Sequence, residues 1–526
     1  MRPLLGRLGS YLPAAVALVL PTAFLPAAED SFILPRASIV IAGACLGTGV
    51  ALLAPGGPGL GKLRWPLIAA AGAAITAFLF SISWPLSLAG SYTRYESFPM
   101  RLAYLGLLAM AVWLLRGRRP RDWVVAALVF GTSVAALEAL LQWSQQVSYR
   151  PDGNLGNANL LGALIAITLP LAIARGLRGD RFTVAWWLGA AILAAGLIAT
   201  TSRSGGLGAL AGCLALVVFA LRGRLAAAAA IASAAVIGVA LVLIVVSPLH
   251  VLNDDPGQLR VHLWQDGLHL IAARPLTGWG EDATGLALGR FLSGDWSPGV
   301  TFDRIHSGPL DIAATQGLLG AAALGLLLLL VLRGAWRTRF NGEAGPLAAA
   351  CIGYTTWVLF NFDWAPATGA FWLLAGTAWS ATRDVEVAAE PGAATASDGR
   401  DQAPWRSAMA IAMALLAVGF GALPVLADTW YLHGKAELAA RIDPLQARYH
   451  WAFGEALVAR HSLAQGVDEL RRAADLGETE PGLYVELGDA EAGLGRFADA
   501  RRDYERALQI DPFYSPASGR IAAMGT

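Results

Sequence analysis

The chain has 526 residues, 56% of them hydrophobic and only 15% charged, with a mean hydropathy of +0.53. A soluble core of this length cannot hide so many apolar side chains, so a soluble globular protein is excluded and lipid is the expected solvent. The net charge of +1 says little, because the charges are segregated along the chain, and no nucleic-acid partner is expected.

At the N-terminus, Arg2 and Arg7 precede an apolar run of signal-peptide character. No convincing small-residue cleavage site follows and further apolar segments come at once, so a retained first span is expected. Segments able to cross about 30 Å of hydrocarbon fall near 11–28, 37–54, 66–83, 101–115, 122–141, 158–174, 183–200, 206–221, 226–247, 309–332, 346–362, 367–380 and 407–427. The fourth and twelfth are short. Cys45, Cys213 and Cys351 sit singly inside such runs and read as packing residues, with no metal-ligand spacing around them.

The connecting loops sort by charge. Arg2/Arg7, Lys62/Arg64, Arg116–Arg121, Arg175/Arg178/Arg181, Arg222/Arg224, Arg333/Arg337/Arg339 and Arg383/Arg406 fall on every second side, while the intervening loops carry mostly single arginines, Arg36, Arg94, Arg150 and Arg203. Positive-inside bias places the first set in the cytoplasm, and an odd number of spans leaves the C-terminus outside. The expected fold is therefore all-α: a polytopic membrane helical bundle of about 12–13 spans over 1–427, then a short helical-repeat domain over 428–526. A large outward loop is expected at about 248–308. A cytoplasmic linker is expected at about 381–406, where 384–404 is small, polar and without periodicity.

Four outward strings carry polar groups. Arg150-Pro-Asp152-Gly-Asn154-Leu-Gly-Asn157-Ala-Asn159 enters a span, and its asparagines suit either sugar hydroxyls or helix capping, with capping favoured slightly. Thr200-Thr-Ser-Arg203-Ser-Gly-Gly puts Arg203 at the membrane surface, where a guanidinium suits a lipid-linked diphosphate or snorkels to headgroups. Residues 258–280 predict an amphipathic helix that carries Arg260 and Trp264 one turn apart, ends at Pro275 and leads into a Gly278/Gly280 loop. Asp303-Arg304-Ile-His306-Ser307-Gly-Pro309-Leu-Asp311 precedes a long apolar run. Ser307 suits an N-cap and Pro309 a first turn, so His306 is expected at a positive helix end that disfavours imidazolium, as a general base requires.

At the C-terminus, 481–512 reads PGLYVELGDAEAGLGRFADARRDYERALQIDP, with Tyr484, Leu487, Gly488, Gly495, Phe497, Ala500, Tyr504, Ala507 and Pro512 at tetratricopeptide-repeat positions. His450, Phe453, Gly454, Leu463, Gly466, Leu470 and Ala473 give a degenerate copy one period earlier, and 436–444 reads as part of a third. Such a scaffold offers a concave face to a protein partner or caps its own membrane domain.

The strings GNANLLGALIAITLPL (156–171), TSRSGGLGALAG (201–212), RVHLWQDGLHLIAARPLTGWG (260–280) and HSGPLDIAATQGLLGAAALGLLL (306–328) together resemble the O-antigen ligase and O-antigen polymerase family of bacterial membrane glycosyltransferases, over roughly residues 100–380. The resemblance implies metal-independent transfer of a glycan from an undecaprenyl-diphosphate-linked donor, at the periplasmic face of the inner membrane, with no cofactor. It implies Arg203 and Arg260 as the arginines that hold the diphosphate and His306 as the histidine that acts on the acceptor. Arg304, Asp303, Arg150 and Asn159 are the accompanying candidates for substrate binding. The acceptor it implies is lipid A core, a second glycan or a protein hydroxyl, which correspond to ligase, polymerase and protein oligosaccharyltransferase. Rival readings are a metal-dependent transferase using Glu29-Asp30, a lipid-linked glycan flippase with Glu138 as its in-membrane polar group, and a membrane-anchored repeat scaffold.

Overall fold

The computed structural model describes residues 9–54, 59–246, 257–389 and 404–525. Arg2, Arg7, the start of the 248–308 loop and the 390–403 part of the linker lie outside the described residues. Among the described residues the chain is helical throughout and no strand occurs. The helices of the first half are α1 (Leu12–Thr22), α2 (Ile33–Leu53), α3 (Arg64–Leu79), α4 (Trp84–Ala89), α5 (Phe98–Leu114), α6 (Arg118–Ser144), α7 (Ala158–Gly176), α8 (Thr183–Thr200), α9 (Arg203–Ala220) and α10 (Gly223–Val246). Then come α11 (Gly257–Ala273), α12 (Gly285–Leu288), α13 (Gly308–Thr338), α14 (Ala344–Val358) and α15 (Ala365–Ala389). The last membrane helix is α16 (Pro404–Ala417) joined to α17 (Leu423–Leu432) through a π-turn at Val418–Ala422. The C-terminal helices are α18 (Ala436–Ile442), α19 (Ala447–Ala459), α20 (Leu463–Asp475), α21 (Pro481–Gly493), α22 (Phe497–Ile510) and α23 (Ser515–Ala523).

Every apolar segment expected to span is helical, and nine helices among the described residues are long and apolar enough to cross a membrane. The molecule is a polytopic helical membrane protein. α7 and α15 lie at its centre, with α15 buried from Ala365 to Thr382. α10 and α16–α17 bury little of their apolar surface, which suits helices facing lipid.

Small residues set the closest crossings. A methyl on Gly205 of α9 would stand 2.7 Å from the Gly162 Cα of α7, and one on Gly208 would stand 2.6 Å from the Gly353 carbonyl oxygen of α14. Without a hydrophobic force between helices in lipid, such close backbone contact supplies the packing energy.

Three expectations change. The linker does not begin at 381: α15 runs to Ala389, because Arg121 pairs with Asp384 at 2.5 Å and Arg383 pairs with Glu386 one turn on. Arg36 is not in a loop. It sits fully buried in α2 and donates to the Leu20 and Asn154 carbonyls at 3.0 and 2.8 Å, satisfying backbone that would otherwise be orphaned. Ser307 occupies the N-cap of α13 without a side-chain cap bond; the Asp311 carboxylate instead accepts from the backbone amides of Ile305 (2.8 Å) and Ser307 (3.3 Å).

α13 is broken near its start. Gly317 has φ +71°, and the turn after α11 plugs the break: Trp279 and Gly280 donate to the Ala314 and Thr315 carbonyls at 2.8 and 3.0 Å, and Leu318 donates to Pro275 at 2.7 Å. Broken helices persist at membrane depth where other backbone re-satisfies the freed groups. Gly317→Ala adds a methyl 2.2 Å from the Leu276 carbonyl oxygen. It is expected to cost more than the ~1–3 kcal/mol of left-handed strain alone, read as a lower melting temperature in detergent. An unchanged melt would show that this plug does not lock α13.

The C-terminal helices pair as antiparallel hairpins, α19 with α20 and α21 with α22, and a methyl on Gly488 would meet the Tyr504 ring at 2.5 Å. They do not stand apart from the rest. Trp451, Leu470, Leu483 and Tyr504 share one core with Leu86 of α4, Ala283 just before α12 and Leu286 of α12, in the segments that precede α5 and α13. Buried Asp428 fastens the joint, accepting from the Asp30 amide (2.8 Å), Tyr92 Oη (2.8 Å) and Tyr449 Oη (3.0 Å).

Candidate functional site

The polar strings fold into two corners at the end of the bundle that carries the C-terminal helices. The first gathers Arg150, Asn159 and the α8–α9 turn. Asn157 caps α7 by accepting the Asn159 amide at 2.8 Å. Thr201 takes a left-handed conformation (φ +50°), and Ser202 caps α9 by accepting the Gly205 amide at 3.2 Å. Arg150 Nη2 then donates to the Thr200 carbonyl (3.0 Å) and to Asn159 Oδ1 (3.2 Å), and Ser202 Oγ donates to the same Asn159 oxygen (2.9 Å). This mesh fixes the end of α8 and sets Arg203, the first residue of α9, half-buried at its edge. Arg150 and Asn159 thus work first on the protein itself, Arg150 on the Thr200 carbonyl and Asn159 on the Arg150 and Ser202 side chains.

The second corner is the loop before α13. His306 is half-buried with φ +59°, a left-handed conformation that, glycine aside, asparagine, aspartate and histidine adopt more readily than other residues. Its ring meets Phe362 edge-on with centroids 5.1 Å apart, and Phe302 at 6.4 Å. Arg304 is buried, ion-paired with Asp282, and lies 5.5 Å from the Phe362 ring. Asp303 accepts from Arg94 Nε at 2.7 Å. Burial works against the Asp303 carboxylate, but the Arg94 guanidinium and His306 together hold it below its ordinary value. The helix end is therefore not the whole field at His306: Asp303 supplies a negative neighbour.

Arg260 lies in the first turn of α11. Leu263, Leu270 and Ile271 of that helix pack with Ile305, Ala313 and Ala314, and a methyl on Gly267 would stand 2.6 Å from Ile305. α11 is thus pressed against the His306 loop rather than lying free in the interface.

Beneath this corner runs a buried network that sequence reasoning missed. Arg101 bridges Glu281 (3.3 Å) and Asp363 (2.7 Å); Gln316 Nε2 donates to Glu281 (2.6 Å); Tyr354 Oη donates to Asp363 (3.1 Å). Asp282 accepts from the Ser91 and Glu96 amides at 2.8 and 3.1 Å besides Arg304. The signal was present as Glu281-Asp282 directly after Gly280, and as Phe360-Asn-Phe-Asp-Trp364 between two apolar runs. Asp30, weighed as a metal ligand, accepts the Phe32 and Ile33 amides at 3.1 and 2.8 Å and so starts α2 instead.

Glu96, in the loop before α5, accepts from Tyr104 Oη at 2.6 Å. Burial raises its pKa from 4.5 to about 7, with Asp363 adding to the rise and Arg101 and Arg304 opposing it. A raised carboxyl pKa means the folded state holds a proton that the unfolded state has released, so this residue costs stability progressively as pH climbs from 4.5 to about 7. Glu96→Gln is expected to remove that slope from the pH dependence of thermal unfolding. An identical slope in the variant would contradict it.

Residues 188–325 match a family model described as O-antigen ligase. The match supports ligase- or polymerase-type function in surface polysaccharide assembly, a membrane glycosyltransferase-like activity. Comparison with curated proteins gave no match.

Proposed function

We propose that the chain transfers a glycan from undecaprenyl diphosphate to an acceptor hydroxyl at the periplasmic face of a bacterial inner membrane, without a metal. The observation that carries this reading is that Arg203, Arg260 and His306 all fall inside the matched residues 188–325, each at the mouth of a helix at one end of the bundle. Arg203 and Arg260 hold the donor diphosphate by charge-assisted hydrogen bonds. His306 takes the acceptor hydroxyl proton as the acceptor oxygen bonds to the sugar's anomeric carbon. The anomeric C–O bond to phosphate breaks, and undecaprenyl diphosphate leaves with the electron pair, its charge met by the guanidinium groups. Asp303 steadies the imidazolium that forms. Arg304, Arg150 and Asn159 hold the substrate-facing loops in place.

Beside Pro309 an apolar groove of about 150 Å³, lined by Ile312, Leu324, Leu328 and Val358 together with Asp363, offers a path for the lipid tail. In this reading 1–427 is the transferase and 428–526 a periplasmic domain of tetratricopeptide type, its hairpins built on the small-residue contacts of Gly454 and Gly488. Lipid A core, a second lipid-linked glycan and a protein hydroxyl are the acceptors this chemistry serves.

The test is transfer by the purified protein in liposomes, given lipid-linked glycan and each acceptor in turn, with EDTA present. A glycan-bearing acceptor is expected. Movement of the intact lipid-linked glycan across the bilayer with no transfer product would favour the flippase instead.

A further inference from the structure

We infer that the cavity between the C-terminal helices and the loops before α5 and α13 is a binding subsite for an uncharged saccharide unit of the acceptor. The inference rests on the glycan-transfer reading. The cavity has a volume of about 410 Å³ and is lined on one side by Ser91, Thr93, Arg94, Thr301 and Asp303. Arg448, Trp451, Glu478, Thr479 and Glu480 of the C-terminal helices close the other side. This volume suits a small ligand, and neither half of the chain makes the cavity alone.

The lining selects the ligand class. Three carboxyl groups (Asp303, Glu478, Glu480) stand against two guanidinium groups (Arg94, Arg448), so a diphosphate or a phosphorylated sugar meets net repulsion. Both arginines already have partners: Arg94 pairs with Asp303, while Arg448 donates to Tyr431 Oη at 3.2 Å and lies 4.7 Å from the Trp451 ring. The wall has too little apolar surface for a lipid chain. What remains is dense in hydroxyl and carboxyl acceptors, which match the hydroxyl donors of a neutral sugar. Buried Glu478 spends its carboxylate on the Thr479 and Glu480 amides and so holds the turn that presents Glu480 at the rim.

Asp303 joins this cavity to the reacting corner, since it lines the cavity and its ionisation is favoured by His306 three residues on. A sugar seated here presents its neighbouring hydroxyl toward His306. The C-terminal helices then act as part of the acceptor site rather than as a remote recruiting arm.

The probes are two soluble oligosaccharides, each tested without donor. One is the host's deacylated, dephosphorylated core oligosaccharide, and the other is the oligosaccharide released by mild acid from its lipid-linked glycan. Calorimetric titration into the full chain in nanodiscs is expected to show one of them binding, equally well to wild type and to Glu437→Gln, a change in the exposed Glu437–Arg441 pair of α18. Glu480→Gln is expected to weaken that binding about tenfold, the worth of one hydrogen bond to a charged group. Glu480→Trp, which fills the rim, is expected to abolish it. Binding by neither probe, binding unchanged in Glu480→Trp, or tighter binding of the same core oligosaccharide titrated with its phosphates left on overturns the inference. In the transfer assay, a product whose acceptor KM is unmoved by Glu480→Trp sinks the subsite alone. Binding that responds to Glu480 with no transfer by wild type sinks the transfer reading alone.

Discussion

His306→Ala is expected to abolish glycan transfer, by a factor on the order of 10²–10⁴ if the imidazole acts as the general base. Arg260→Ala is expected to do the same through the leaving group, because a diphosphate without its guanidinium contact keeps its developing charge uncompensated. His306 occupies a left-handed conformation, so alanine there also strains the backbone. His306→Asn separates the two effects. Asparagine tolerates that φ but cannot take the proton, so it is expected to fold like wild type and remain inactive. Membrane abundance and melting temperature serve as the controls. Transfer retained in both His306→Asn and Arg260→Ala would remove the mechanism.

The largest loss of stability is expected from Arg101→Met. Its guanidinium stands between Glu281 and Asp363, and all three groups are buried. Removing the cation leaves two buried carboxylates without their shared partner, a loss of about 3–5 kcal/mol by the behaviour of broken buried pairs. The damage should spread, because Glu281 also holds Gln316 beside the α13 break and Asp363 also holds Tyr354. A sharp fall in melting temperature, partly restored by adding Asp363→Asn, is the expected pattern. A melt within error of wild type would show that the network carries no stability.

Hydropathy placed a helix at each of the thirteen expected segments, since hydrocarbon thickness fixes how long an apolar run must be. The bounds moved, with 11–28 shortened to Leu12–Thr22 and 367–380 lengthened to Ala365–Ala389, and among the described residues nine helices are long and apolar enough to cross. Pro275 and Gly278/Gly280 were legible as the end of α11. The partner of that turn was not, because the break at Gly317 lies in an unremarkable apolar run and is defined by backbone 35 to 43 residues away in sequence. Arg36 looked like a loop arginine because a side chain that satisfies carbonyls on two other segments leaves no local mark. Glu281, Asp282 and Asp363 went unread for the same reason: each became meaningful only beside Arg101 and Arg304.

The sequence by itself determined the solvent, the long apolar helices, the alternation of charge among the loops and the strings that carry Arg203, Arg260 and His306. Those properties follow from the period and length of apolar runs and from local turn chemistry, which act over a few residues. Tertiary structure alone decided that Arg94 holds Asp303, that Arg150 and Asn159 brace the α8–α9 turn, and that the C-terminal helices share a core and a cavity with the membrane domain's loops. Those facts depend on pairings of buried charges and close backbone contacts between distant segments, where the low dielectric makes each unpaired group costly and so selects one arrangement.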